Sequence, residues 1–484
     1  MKKIALALTV LITLTSVLFS VGCKESNKAN IVYEMTISLN DNQLNGKQKV
    51  SFTNFTDNTF NLLKFNLFGN AFRKGAEYNP IAVQYENRAY PNGYSYGEMN
   101  ITSVKSKNQP LTFSICGQDE NVLQVELIEE LFPNQTVEVD IEYTLKLANV
   151  VARTGINEHT INLGNFYPIL CGINENGFYE CVYYSNGDPF YSDVSDYYVE
   201  VELQSDWIVA SGGKLVQERN TNDKIKRCYE LKSARSFCMI ISKQFQTLTE
   251  MVDGVQVNYY YYKDSTPKDS LNYAIESLKL FSEKFGKYPY STYSVVQTEF
   301  LQGGMEYPAI VMISDNLEPK AYGEVIVHET AHQWWQSAVG NNEIEFGFLD
   351  EGLAEYSVVL FYENYSKYGM KRESMITSSE QTYKTFCSVS DKLFGKVNTV
   401  MLRNLGQFNS EYEYVNMAYV KPCIMYDYLR KSVGDQTFFK GLKKYYSTYY
   451  MKNATPYDLV GAFEKVGADS NGFFQSFFDG KVII

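Results

Sequence analysis

Along the first half of the chain, apolar and polar residues alternate in short runs rich in β-branched and aromatic side chains, among them Ile31 to Leu39, Lys49 to Thr53 and Thr136 to Leu145. A period of two, with Asn, Gly and Asp between the runs, predicts strands with one covered face, so the stretch from about Lys28 to Leu248 reads as β-rich. The run Tyr259 to Tyr262 also reads as a strand, not a binding platform. From Ser270 through Phe285 the apolar positions recur at helical spacing. Helical character then returns around His328, from Glu351 through Tyr356, after Tyr419 and near the C-terminus. The pattern predicts an α+β multidomain fold, β-rich over residues 24–249 and mainly helical over residues 250–484. No internal repeat or low-complexity linker interrupts it.

The first residues follow a different pattern. Lys2 and Lys3 precede a mostly apolar run from Ile4 to Phe19, which ends in Ser20-Val21-Gly22-Cys23. Residues 1–22 therefore read as an export signal. The ending resembles a bacterial lipobox, although Ser20 stands where Leu is usual. The expectation is a lipoprotein held at Cys23 on the extracellular face of a bacterial membrane, or a secreted protein if cleavage leaves no lipid. No later apolar run is long enough to span a bilayer, so the membrane is a partner only through that anchor.

Charge narrows the partners further. The formal charge of −12 becomes −14 once residues 1–22 are removed, because Lys2 and Lys3 leave with them and no acid does. An acidic chain without a basic cluster argues against nucleic acid. Setting Cys23 aside leaves seven scattered cysteines, which is no disulfide framework, although Cys171 with Cys181 or Cys228 with Cys238 could pair across adjacent strands.

The chain has only three histidines, and two of them stand in the run His328-Glu329-Thr330-Ala331-His332. Four residues apart on a helix, both imidazoles share a face, and Glu329 is turned about 100° from His328 toward the same region. That is the spacing of a catalytic zinc site with Glu329 as general base. Such a run also arises by chance on solvated helices, so a third ligand decides the matter. No His follows His332, and the nearest upstream Cys, Cys238, gives no sign of a thiolate ligand. Glu351 does follow, after 18 residues, at the head of a helical segment, which is room to finish one helix, turn and return against the metal. His328, His332 and Glu351 are the candidate ligands for one Zn2+ per chain. Trp334 and Trp335 read as core packing, and His159 as a structural or surface histidine.

These residues resemble the gluzincin aminopeptidases, and three further segments carry the likeness. Gly303-Gly304-Met305-Glu306-Tyr307 is similar to the family's exopeptidase motif, in which the glutamate binds the substrate's free α-amine; Tyr307 stands where the family has Asn. Tyr419, in Ala418-Tyr419-Val420-Lys421-Pro422, resembles the family's catalytic tyrosine, with Pro422 in place of Gly. The runs Gly187-Asp188-Pro189-Phe190-Tyr191 and Phe285-Gly286-Lys287-Tyr288-Pro289-Tyr290 fall where family members carry similar ones. The resemblance implies a β-rich domain followed by a thermolysin-like, mainly helical zinc peptidase domain. It further implies an aminopeptidase acting on peptides with a free N-terminus, with Glu329 and Tyr419 catalytic and Gly303, Gly304, Met305 and Glu306 binding substrate. Larger relatives add a helical C-terminal domain over the active site. This sequence ends at Ile484, so a more open cleft, or one closed by another subunit, and hence tolerance of longer peptides, is expected. A zinc endopeptidase of the thermolysin type, or a catalytically silent cell-surface peptide binder, remains the alternative.

Overall fold

The computed structural model describes residues 29–221 and 223–482; the leader and Cys23 lie outside the described residues. The alternating runs of the first half form an eight-stranded sheet in the order 214–221, 224–234, 195–204, 31–40, 43–53, 136–146, 98–106 and 109–110. Ile31, Tyr33, Met35 and Ile37 face inward along the strand Ile31–Asn40, as a period of two requires. That strand lies antiparallel to Gln43–Thr53 but parallel to Ser195–Gln204, which brings Tyr33 onto Tyr197 with ring centroids 4.9 Å apart. Two four-stranded sheets pack with it to complete a β-rich N-terminal half.

The second half is not helical alone. A five-stranded mixed sheet runs in the order 246–252, 255–261, 292–298, 310–314 and 304–305, so its first strand spans position 249/250. The central strand Thr292–Thr298 is buried at every position, because each face has a cover. Tyr293 faces a helix, its hydroxyl 2.7 Å from Thr330 Oγ1. Ser294 faces the other way, donating to the carbonyl of Ser211 in the N-terminal half at 2.8 Å. The last strand, Gly304–Met305, pairs only on one side, antiparallel to Met312 and Ile313.

Helices cover this sheet. Pro319–Ala331, which starts with proline where a missing N–H costs nothing, carries the two histidines toward its C-terminal end. Trp334 and Trp335 follow and are buried, Trp334 against Phe281 and Phe285 and Trp335 against Phe285 and Tyr445. Phe348–Asn364, the Glu351 helix, is buried almost all round because it runs between the histidine helix and the helix Lys421–Val433. Gly352 permits that approach: a Cβ there would fall 2.4 Å from Pro422 Cβ. The residues just before Pro422, Asn416–Val420, form a π-helical turn, an irregularity that often marks a functional position. Among the described residues no helix is long and apolar enough to cross a membrane, and all seven cysteines are free thiols, Cys171, Cys181, Cys228 and Cys238 included.

Candidate active site

The histidine helix places the rings of His328 and His332 with centroids 4.9 Å apart and their Nε2 atoms 3.1 Å apart. The Glu351 helix brings Glu351 Oε2 to 3.2 Å from each Nε2. The other ring nitrogens are held from behind. His332 Nδ1 is 2.9 Å from the carbonyl of Trp335, and His328 Nδ1 is 3.2 Å from Glu355 Oε2. A proton on each Nδ1 satisfies those contacts and leaves both Nε2 lone pairs and a carboxylate oxygen directed at one point. Three acceptors converging in this way need a cation between them. Ligand atoms in a tetrahedral zinc site lie about 3.3 Å from one another, given metal–ligand distances of about 2.0–2.1 Å, which matches the spacing here. The donor set fits zinc, and the fourth side opens into a cleft of about 320 Å³.

Glu355 belongs to this arrangement for a simple reason. Four residues after Glu351, it lies on the same helix face, so one carboxylate reaches each nitrogen of the His328 ring. The interval from Glu351 to Glu355 is visible in the sequence.

Two further carboxylates face the same point. Glu329 is 5% exposed, its Oε2 has no hydrogen-bond partner, and burial pushes its carboxyl up to about 7 against the pull of the two imidazoles. Glu306 is 3% exposed with Oε1 unpartnered, and its carboxyl is raised, first by burial and then by the charge of Asp188. Oxygens of Glu306 and Glu329 and a ring nitrogen of His332 lie within 4.8 Å of one another. Behind the cleft Glu343 and Asp350 approach Glu306 equally closely. Burial also raises both, Asp350 to about 7. An unpaired buried carboxyl is costly, so this group of acids favours an incoming cation.

The remaining expected residues divide. Gly303 and Gly304 line the cleft, and the missing side chain at Gly304 leaves room for Glu329: a Cβ would fall 2.3 Å from Glu329 Oε1. Met305 turns away, buried, with its sulfur 3.0 Å from Arg153 Nε. Tyr307 is also buried behind the cleft, its hydroxyl donating to Asn165 Oδ1 at 2.7 Å above Gly164. Tyr419, in the π-helical turn, stacks on His328 at 5.8 Å and donates its hydroxyl to Glu351 Oε1; burial, then the Glu351 charge, holds that phenol well above its usual pKa. His159 stands apart from the cleft, its ring 4.9 Å from that of Tyr262.

Neither Asp188, in its Gly-Asp-Pro-Phe-Tyr run, nor Arg153 stands in a local pattern that announces a role. Both are buried and line the cleft as an ion pair, with Arg153 also donating to the Gly187 carbonyl at 3.2 Å. Both residues belong to the N-terminal half, and Arg153 reaches the other half through Met305, next to Glu306. Phe285 to Tyr290 serve as scaffold, since Gly286 accepts from Trp334 Nε1 at 2.8 Å.

Known proteins resemble this chain in sequence over its second half and in overall fold. Residues 269–479 match the Peptidase family M1 domain. Aminopeptidase M1-A of Oryza sativa subsp. japonica is 24% identical over 287 residues, 55% of this chain and 32% of the rice protein. Aminopeptidase N of Lactobacillus helveticus is 25% identical over 233 residues, 44% of this chain and 27% of that protein. The chain spans about a third of the length of these curated relatives. Among solved structures, the M1 zinc metallopeptidase from Deinococcus radiodurans superimposes with a TM-score of 0.68 at 15% identity, covering 94% of this chain and 96% of that one. A mutant of the Deinococcus enzyme bound to a Tyr-Ser-Ala substrate gives 0.64 at 16% identity, covering 94% and 95%. Residues 269–479 thus resemble the Peptidase family M1 domain, and the fold, a β-rich N-terminal half followed by a helix-covered domain, is that of the M1 zinc metallopeptidase on which the chain superimposes.

Proposed function

We propose that the chain is a zinc-dependent aminopeptidase that removes N-terminal residues from peptides with a free α-amine. The observation that carries this reading is the convergence of His328, His332 and Glu351 beside two buried carboxyls, Glu329 and Glu306, each with an oxygen that no protein group satisfies. One zinc ion, held by those three residues, would supply a Lewis acid that acidifies water and polarises a carbonyl.

The protein's own groups do the rest. Glu329 takes the proton of the attacking water through its free oxygen and returns it to the leaving amine. Tyr419 turns its hydroxyl from Glu351 toward the oxygen that gains charge at the scissile carbon. Glu306 receives the substrate ammonium, which provides the counter-charge the buried acids lack. An internal amide in that position would leave the charge unpaired, so blocked peptides are disfavoured. The unpaired edge of Gly304–Met305 offers backbone N–H and C=O groups to an extended peptide, and Gly303 and Gly304 keep that edge close to Glu329. Met305 acts from behind, through its contact with Arg153. The Deinococcus neighbour solved with a tripeptide substrate is consistent with peptides as partners. We assign two domains with the boundary moved from 249/250 to just before Gln246, where the five-stranded sheet begins, and export with Cys23 as the anchored residue.

The test is a panel of free and N-acetylated aminoacyl fluorogenic amides, with Glu329→Gln as control. Turnover confined to free amides and lost in the variant supports the assignment. Cleavage of acetylated substrates would move it to an endopeptidase, and bound zinc without any turnover to a silent binder.

A further inference from the structure

We propose that Glu324 makes the cleft select peptides whose second residue carries a cationic side chain, Lys or Arg; this rests on the aminopeptidase reading above. The direction of the substrate follows from the order of groups along the histidine helix. The amine anchor, Glu306, lies beside His332. Moving back along the helix leads from His332 to His328 and then to Glu324, each about one turn or 6 Å further from the anchor. With its first residue between Glu306 and the metal ligands, an extended peptide passes its scissile bond near His328. Its second residue then lies over the turn that carries Glu324 and Val325, since a residue advances about 3.3 Å in a strand.

What lines the cleft at that turn suits a long cationic side chain. Val325, on that turn, and Val358 and Met375, which line the same cleft, offer apolar surface to a methylene stem. Glu324 lines the same wall and can receive the head group. Its side chain is 34% exposed, and among the described residues it pairs with Lys320, 3.8 Å away on a side chain that is 71% exposed. Such a pair is weak and easily replaced by a substrate cation. The other cleft acids have engagements of their own. Glu355 is held by His328, Glu411 accepts the Tyr85 hydroxyl at 2.7 Å, and Asp188 is paired with Arg153. Glu324 has no part in the chemistry, and a neighbouring Glu355 charge adds to the negative field at this point.

The experiment compares kcat/KM of the zinc-loaded enzyme for three free hexapeptides that differ only at the second position: Lys, Leu or Glu. The expected order is Lys above Leu above Glu, with Lys over Glu by about tenfold. Glu324→Gln should bring the Lys-to-Glu ratio to within about twofold, and Glu324→Lys should invert it. Because the readout is a ratio within each variant, a general loss of activity does not obscure it. A ratio near one in the wild type, or one that survives Glu324→Gln, overturns the proposal while the aminopeptidase reading stands. Absence of turnover on all three peptides by the wild type defeats that underlying reading instead.

Discussion

Gly304→Ala tests the placement of Glu329 without touching its chemistry. The methyl group would sit 2.3 Å from Glu329 Oε1 and 2.6 Å from its Cδ and Cγ, whereas a carbon needs more than 3 Å from such neighbours. Gly304 does not have a positive φ, so the backbone accepts alanine. The atoms in the way are the tip of one side chain, which can swing aside, so stability should fall by less than about 1 kcal/mol. The swing has to be about 1 Å, and a misplacement of that size can cost about 100-fold in rate. That is about 2.7 kcal/mol of barrier. The assay is kcat and KM on an alanyl fluorogenic amide, together with zinc content and a denaturation curve. We expect kcat to fall about 100-fold with zinc content unchanged. In the Glu329→Gln background the same substitution should add little, because the base is already gone. A Gly304→Ala enzyme with kcat within about threefold of wild type would refute the placement, and so would a full further loss on top of Glu329→Gln.

Two other expectations are independent of the base. Lys421 is buried, with Nζ donating to the carbonyls of Thr399 at 2.6 Å and Phe477 at 3.0 Å, and burial pushes its pKa down to about 8. Below about pH 8 the ammonium is charged in both folded and unfolded chains, and the full cost of burying it is present. Between about 8 and the unfolded value of about 10.4 the folded form loses its proton first, so stability rises with pH in that window. Urea denaturation at pH 7.5 and 9.5 should show wild type gaining about 1–2 kcal/mol relative to Lys421→Met; an unchanged gap would contradict it. Cys23→Ala, expressed in a bacterium that processes lipoproteins, should move the protein from the membrane fraction to the soluble one, and equal partition of both forms would exclude an anchor.

The parts legible in the sequence are those encoded by short spacings. His328, Glu329 and His332 read directly because a helix turns contacts into intervals of three and four residues, and Glu351 followed from the room needed for a second helix. Glu355 obeys the same interval, but it contacts the far nitrogen of His328 and completes no ligand set, so spacing alone does not mark it. The Arg153–Asp188 pair joins residues 35 positions apart, and no local pattern announces it. The π-helical turn at Asn416–Val420 was equally hidden, since its residues differ in no periodic way from an ordinary helix start. Alternation revealed the strands of the N-terminal half but not their order. The parallel pairing of Ile31–Asn40 with Ser195–Gln204 spans more than a hundred residues and depends on packing alone. The five-stranded sheet was missed because Thr292–Thr298 and Ile310–Ser314, buried on both faces, show no alternation to betray them.

Under the proposed aminopeptidase activity, the edge strand Gly304–Met305 bears on how successive cuts would be made. Once one residue has been removed, the new amine lies a single residue short of Glu306. A peptide paired with a strand edge cannot slide by one residue, because that step sends every side chain to the opposite face and mismatches the backbone groups. The shortened peptide must let go completely and return in a new register. Digestion is then distributive: peptides one and two residues shorter build up in solution while intact molecules are still plentiful, and the enzyme trims a population instead of consuming one chain at a time.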